Sequence, residues 1–246
     1  MPSSPSSTND LPIPTHCPSL LPIIGRDELF AVRRIYCVGR NYLEHIREMK
    51  EGDERDPPFF FQKPTDAIVS DGVVPYPPLT DDLQYEVELV AAVGKEGKSL
   101  PIDQALGVVY GYAVGLDMTR RDRQREANKK GLPWEIGKSF DASAPCGPIH
   151  PVSAVGHVTS GDIRLMNGAE LRQNSVLEKM IWNVPEIISK LSHQYTLMPG
   201  DLVFTGTPAG VGPVKPGDTL VASVGPLSDL HIRIISRFGA EAPLIA

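Results

Sequence analysis

Apolar and polar positions alternate with a period that changes many times along the chain, and the runs are short. RRIYCVGRN predicts a buried strand ending in a glycine turn, and FFFQKP a second strand stopped by Pro64. LQYEVELVAAVG predicts one strand ended by Gly94, and GVVYGYAVGLDM predicts another. Asn167-Gly168 joins two strand-like segments, a hairpin signal. LVFTGTPAGVGPV predicts a strand entering a glycine-rich loop, and TLVASV and LHIRIIS predict closing strands. Helical spacing is rarer. NYLEHIREMKEG predicts a short helix capped by Asn41, with Glu44 three residues on completing a capping box and Gly52 ending it. TRRDRQREANKKG predicts a polar helix with Thr119 as its cap, and NVPEIISKLSHQ a helix with Asn183 near the N-cap and Pro185 in the first turn. Residues 1–24 carry neither period and are rich in Pro and Ser, as expected of an extended arm or disordered tail.

Strands outnumber helices and do not alternate with long ones, which counts against a doubly wound sheet. The expected fold is α+β and β-rich, with an arm over 1–28 and a single domain over 29–246. Composition agrees. Pro makes up 24 of 246 residues, about twice the usual ~5%, and with 22 Gly it makes turns frequent. Much of that excess falls in the arm and in turns around Pro75, Pro77 and Pro78.

Lys and Arg number 24 and Asp and Glu 30, a net charge of −6, which does not suit a nucleic-acid binder. Cys17, Cys37 and Cys146 form no CxxC pair, which fits a reducing compartment. No apolar run approaches the ~18 residues of a membrane span. The first residues lack a basic region and an apolar core, and no Arg precedes Arg26, so the expected location is the cytoplasm.

Within this acidic chain several groups carry possible chemistry. Glu86 and Glu88, two apart in a predicted strand, share one face with Cα atoms about 6.6 Å apart. Two carboxylates so placed and partly desolvated repel by several kcal/mol, so a proton, a basic partner or a cation must offset them, and oxygen ligands suit Mg²⁺ or Mn²⁺. A solvated strand face is the plain alternative. Asp117 follows an apolar run and can add a third carboxylate, or simply favour the next helix's N-terminus. His45 and Glu48 share a helix face, as a dyad able to deprotonate water or as an ordinary surface pair.

Lys138 lies in a small-residue stretch, where it can neutralise an oxyanion or snorkel to the surface. Residues 119–130 hold six basic and two acidic residues and begin with Arg121 and Gln124, forming either a funnel for an anionic substrate or a solvated helix face. The GTPAGVG loop with Thr207 can lay N–H groups against an anion, but it lacks P-loop spacing.

Seven strings in order, YCVGRNYLEHIREM, PPFFFQKPTDAIV, YEVELVAAVG, GYAVGLDMTRRDRQ, PWEIGKSFDASAP, NGAELRQ and PGDLVFTGTPAGVGPVKPGD, resemble the fumarylacetoacetate hydrolase family. They run from about residue 33 to 235 and are most similar to its small single-domain acylpyruvate and fumarylpyruvate hydrolases. The resemblance implies a mixed β-roll with short helices, usually dimeric. It implies a divalent metal, Mg²⁺ or Mn²⁺, on Glu86, Glu88 and Asp117, and a His45–Glu48 pair in a lid over the substrate. Lys138 would stabilise an oxyanion, and Arg121, Gln124 and Thr207, with Arg40 or Lys63, would hold carboxylates. The expected reaction is hydrolysis of the C–C bond of a 3-acylpyruvate, fumarylpyruvate to fumarate and pyruvate in gentisate degradation, with a small anionic 2-oxo acid as partner. Within the family, oxaloacetate decarboxylation and dienoate isomerisation or hydration are the alternatives, and a non-catalytic metal-dependent binding protein is the alternative from another class.

Overall fold

The computed structural model describes residues 17–45 and 56–237. Two sheets dominate. The first has six strands in the order His150–Pro151, Val109–Leu116, Val87–Val93, Asp201–Phe204, Arg34–Val38 and Phe60–Lys63. All its neighbours are antiparallel except Asp201–Phe204 and Arg34–Val38, which run parallel. The second has five strands in the order Glu170–Val176, Asp162–Asn167, Thr219–Val224, Leu230–Ile235 and Val73–Pro75. Among the described residues no helix is long and apolar enough to cross a membrane.

The two sheets differ in patterning for a physical reason. Val87–Val93 is buried at every position because the six-stranded sheet is covered on both faces. Leu89, Ala91 and Val93 pack toward the second sheet's Ile163, Leu165, Leu220 and Ala222. Val90 and Ala92 turn the other way, onto a cluster with Leu21, Ile23, Phe30, Cys146 and Ile149. Thr219–Val224 alternates, with Leu220, Ala222 and Val224 buried and the residues between them at least partly exposed, as befits a sheet with one wet face.

Several sequence expectations hold in detail. Asn183 caps the Val184–Gln194 helix, accepting from the Glu186 N–H while the Glu186 carboxylate accepts from the Asn183 N–H. Others shift. Leu20–Pro22 pairs antiparallel with Leu29–Ala31 and Leu21 is fully buried, so the stretch expected as an arm over 1–28 is part of the fold from Leu20 onward. Residues 1–16 lie outside the described residues. The hairpin exists, but Asn167 pairs with Glu170, so its two-residue loop is Gly168-Ala169. Gly168 has a φ of 58°, the conformation that the first central position of such a loop requires.

Asn41 is not a helix cap. Its amide donates to Trp182 O at 2.8 Å and Thr205 O at 2.7 Å, and its carbonyl accepts from Trp182 N at 2.7 Å. Glu44, expected in the same capping box, pairs instead with Lys179 at 2.8 Å. Thr119 is no cap either; the N-cap of Arg121–Lys130 is Arg120, with no side-chain bond.

The strand expected over LQYEVELVAAVG breaks at Glu86. Leu83–Tyr85 leaves for a small three-stranded sheet with Thr119–Arg120 and Gly212–Pro213, while Val87–Val93 stays in the six-stranded one. The neighbouring chain breaks at the same level, and Asp117 N–H donates to Glu86 O at 2.9 Å. Two strands thus leave the sheet together, and their acidic residues meet at the point of departure.

Candidate active site

Glu86, Glu88 and Asp117 are all buried, and each offers a carboxylate oxygen within 4.8 Å of the others. The same cavity is lined by Arg40, His45, Phe61, Arg121, Gln124, Trp134, Lys138 and Thr207. Separate elements thus bring together all the expected site residues except Lys63, which lies off the cavity wall, and Glu48, which falls outside the described residues.

Desolvation makes the acids costly, and basic groups offset it. Lys138 Nζ donates to Glu86 Oε2 at 2.8 Å, Asp117 Oδ2 at 2.7 Å and Thr119 Oγ1 at 2.7 Å. All three of its protons are engaged, so the expected oxyanion donor is instead the clamp that holds two acids together. Burial works against its charge, but Asp117 and Glu86 outweigh it and raise the ammonium above its usual range, so Lys138 stays a cation.

Arg121 donates from Nε to Gln84 at 2.9 Å, from Nη1 to Gln124 at 2.5 Å and from Nη2 to Glu86. Burial pushes the Glu86 carboxyl up, but Lys138 and Arg121 overcome it and hold that carboxyl well below the usual range. Lys63, expected to hold substrate, stands behind Asp117. Its Nζ is 2.8 Å from Asp117 Oδ1 and donates to the carbonyls of Met118 and Lys138.

Glu88 differs from its neighbours. Burial and the charges of Asp117 and Glu86 push its carboxyl well above the usual range, and only the Gly206 N–H, at 2.7 Å, opposes them among its hydrogen bonds. That N–H is delivered by a left-handed glycine, with φ of 95°, whose missing Cβ would lie 2.6 Å from Asn41 Cβ. The glycine-rich loop therefore does lay an N–H against an oxygen ligand, and that ligand is the chain's own Glu88 carboxyl. Asp117 Oδ1 is buried with an ionic neighbour but no hydrogen bond. Three oxygen donors, one carboxyl pushed up by its neighbours and one oxygen without a hydrogen bond fit a hard divalent cation.

Opposite the acids, Gln124 Oε1 is taken by Arg121, which leaves its NH₂ group facing the cavity. Thr207 Oγ1 accepts from Gln173 Nε2 at 2.8 Å, so its hydroxyl proton is free to donate. His45 is buried on the same wall. The basic run after Thr119 is no funnel: Arg121 is buried, Arg125 pairs with Asp82 at 3.2 Å, and Lys130 pairs with Glu126 at 2.6 Å.

Gln173 was not singled out in the sequence. It is fully buried, accepts from Val87 N at 3.0 Å just past the strand break, and donates to Thr207 and Pro208 O. Its partner register jumps between Leu165 and Met166, leaving Arg172 as the extra residue of a bulge. The bulge reverses the faces, so Leu171 is exposed while Gln173 and Ser175 point inward. Its only trace in the sequence was its place at the end of the NGAELRQ string.

Residues 34–235 match the fumarylacetoacetate (FAA) hydrolase C-terminal family. Fumarylpyruvate hydrolase from Ralstonia sp. is 45% identical over 177 residues, covering 72% of this chain and 92% of that protein. The human mitochondrial oxaloacetate tautomerase is 40% identical over 203 residues, 82% of this chain and 91% of its own. The crystal structure of fumarylpyruvate hydrolase from Pseudomonas aeruginosa with Mn²⁺ and pyruvate superposes with a TM-score of 0.90 at 48% identity, covering 92% of this chain and all of that one. In sequence and in fold, the chain belongs to the fumarylacetoacetate hydrolase family.

Proposed function

We propose that the chain is a metal-dependent hydrolase acting on the carbon–carbon bond of a 3-acylpyruvate, with fumarylpyruvate as substrate and fumarate and pyruvate as products. The observation that carries this reading is the buried triad with His45, Gln124 and Thr207 on one cavity. The fumarylpyruvate hydrolases at 45% and 48% identity support the substrate. The neighbour's Mn²⁺ and pyruvate support a divalent ion, Mn²⁺ or Mg²⁺, and a small 2-oxo acid ligand.

A divalent ion on Glu86, Glu88 and Asp117 would supply Lewis-acid stabilisation of the negative charge that develops on the 2-oxo acid half. The Gln124 amide, the Thr207 hydroxyl and the two unengaged Arg121 N–H groups would hold the carboxylate end. His45 takes a proton from water as the water oxygen bonds to the acyl carbonyl carbon. The bond between that carbon and C3 of the pyruvate half then breaks. Its electron pair passes to the pyruvate half, which takes at C3 the proton His45 removed, and the acyl half leaves as a carboxylate after giving its hydroxyl proton to solvent. Lys138 and Lys63 keep the acids in place, and Lys138 stays charged.

Pyruvate release from fumarylpyruvate, acetylpyruvate and oxaloacetate, assayed side by side with Mn²⁺, tests the reading. Release from the acylpyruvates that falls at least ~100-fold in His45→Ala with Mn²⁺ binding intact is the expected result. Release from oxaloacetate alone would favour the decarboxylase alternative, and enol–keto exchange of oxaloacetate without release would place the chain with the tautomerases. Unchanged kcat in His45→Ala removes the general base.

A further inference from the structure

One cation on the cavity wall is built differently from the rest. Arg40 has a φ of 100°, a left-handed backbone that residues with a Cβ rarely adopt. Among the described residues its guanidinium has one partner, the ring of Phe59, 5.1 Å away. Phe59 can stand there only because residue 39 is glycine, since a Cβ on Gly39 would lie 2.0 Å from the ring. From Arg40 inward the wall is aromatic. Phe59 meets Trp134 edge-on at 4.9 Å, Trp134 meets Phe61 at 5.9 Å, and Phe61 lies 5.3 Å from Lys138 Nζ beside the acids. The track joins a charged floor to a charged rim.

On the floor, Lys63, Lys138 and Arg121 each touch an acid. Arg40 has no acid against it among the described residues, and its guanidinium lies over the Phe59 ring at the cavity wall.

We propose that Arg40 is a specificity-determining residue that binds a second carboxylate, at the far end of a 2-oxo acid whose flat chain lies along Phe61, Trp134 and Phe59. The preferred substrates are then dicarboxylates with an unsaturated linker, and acylpyruvates with a neutral tail are poorer ones. A guanidinium suits this task because its planar fork meets a carboxylate with two parallel bonds, and the ring beneath it holds the plane in position. The inference rests on the 2-oxo acid reading of the site but does not need hydrolysis.

The test is calorimetric binding of 2-oxoadipate and 2-oxohexanoate to Mn²⁺-loaded protein. The two differ at the far end, where one has a carboxylate and the other a methyl group, and neither has an acylpyruvate bond to cleave. Wild-type protein is expected to bind 2-oxoadipate about 10- to 100-fold more tightly, the range of a charge-assisted hydrogen bond pair. In Arg40→Gly, which suits the left-handed backbone and should therefore fold, the ratio is expected to fall to near one. Arg40→Lys, which keeps the charge and loses the fork, should retain part of it.

A ratio unchanged in Arg40→Gly overturns the proposal, and so does wild-type protein that releases pyruvate from fumarylpyruvate yet shows no preference between the two ligands. Protein that shows the preference but releases no pyruvate overturns the hydrolase reading and keeps Arg40. Protein that binds neither ligand overturns both.

Discussion

The floor and the rim of the cavity handle charge in opposite ways. On the floor, Lys138 gives all three of its protons to Glu86, Asp117 and Thr119, and Arg121 engages Glu86, Gln84 and Gln124. At the rim, Arg40 faces the Phe59 ring, and Trp134 packs by ring edges. Matched and hydrogen-bonded buried charges stay in one arrangement, because any single loss leaves another charge unpaired in a low dielectric. Ring contacts are weaker and tolerate change. The proposed chemistry is therefore fixed on the floor, and the proposed discrimination between substrates falls to the rim.

Breaking the floor should cost most. Lys63→Met leaves Asp117 Oδ1 buried with neither an ionic neighbour nor a hydrogen bond, and should lower unfolding free energy by about 3–5 kcal/mol in urea titration. A loss under ~1 kcal/mol would mean that Lys63 is incidental to the floor.

Gly206→Ala comes next. It forces a Cβ into a left-handed position 2.6 Å from Asn41 Cβ, at a cost of about 1–3 kcal/mol, and disturbs the N–H held by Glu88. Weaker Mn²⁺ binding should accompany the lost stability; stability lost with Mn²⁺ affinity intact would separate the loop from the acids.

Trp134→Ala should do least. It removes two ring contacts worth about 0.5–1.5 kcal/mol each, so KM for fumarylpyruvate should rise a few-fold to roughly tenfold with little change in kcat. A collapse of kcat would make the aromatic track part of the floor.

What the chain made legible was local. Asn183 near the N-cap and Pro185 in the first turn were readable, and Asn183 caps that helix, with a capping box to Glu186 that the structure adds. The Glu86/Glu88 spacing survived although the strand broke at Glu86, because both carboxylates still meet in one buried cluster. What stayed hidden depended on partners distant in sequence. Asn41 and Glu44 carry a capping pattern, but Trp182, Thr205 and Lys179 outbid the helix for their side chains.

Gln173 was masked by a bulge that turns the alternation of its strand inside out. The Leu20–Pro22 strand was masked by a Pro- and Ser-rich surround, and residues distant in sequence, Phe30 and Ile149 among them, explain its burial. Lys138 was cast as an oxyanion donor and Lys63 as a substrate contact, since charge alone does not tell a residue that meets substrate from one that meets Asp117.

The central claim is that the floor holds a divalent ion on which the C–C hydrolysis depends. It is tested most directly by titrating Mn²⁺ into chelator-treated protein while following pyruvate release from fumarylpyruvate, with Glu88→Ala alongside. The account expects no release without the ion, a rise that saturates at one Mn²⁺ per chain, and a loss of at least ~10³-fold in Glu88→Ala, the scale of several kcal/mol of Lewis-acid stabilisation. Full release from the chelated protein, or wild-type rates from Glu88→Ala, would contradict it.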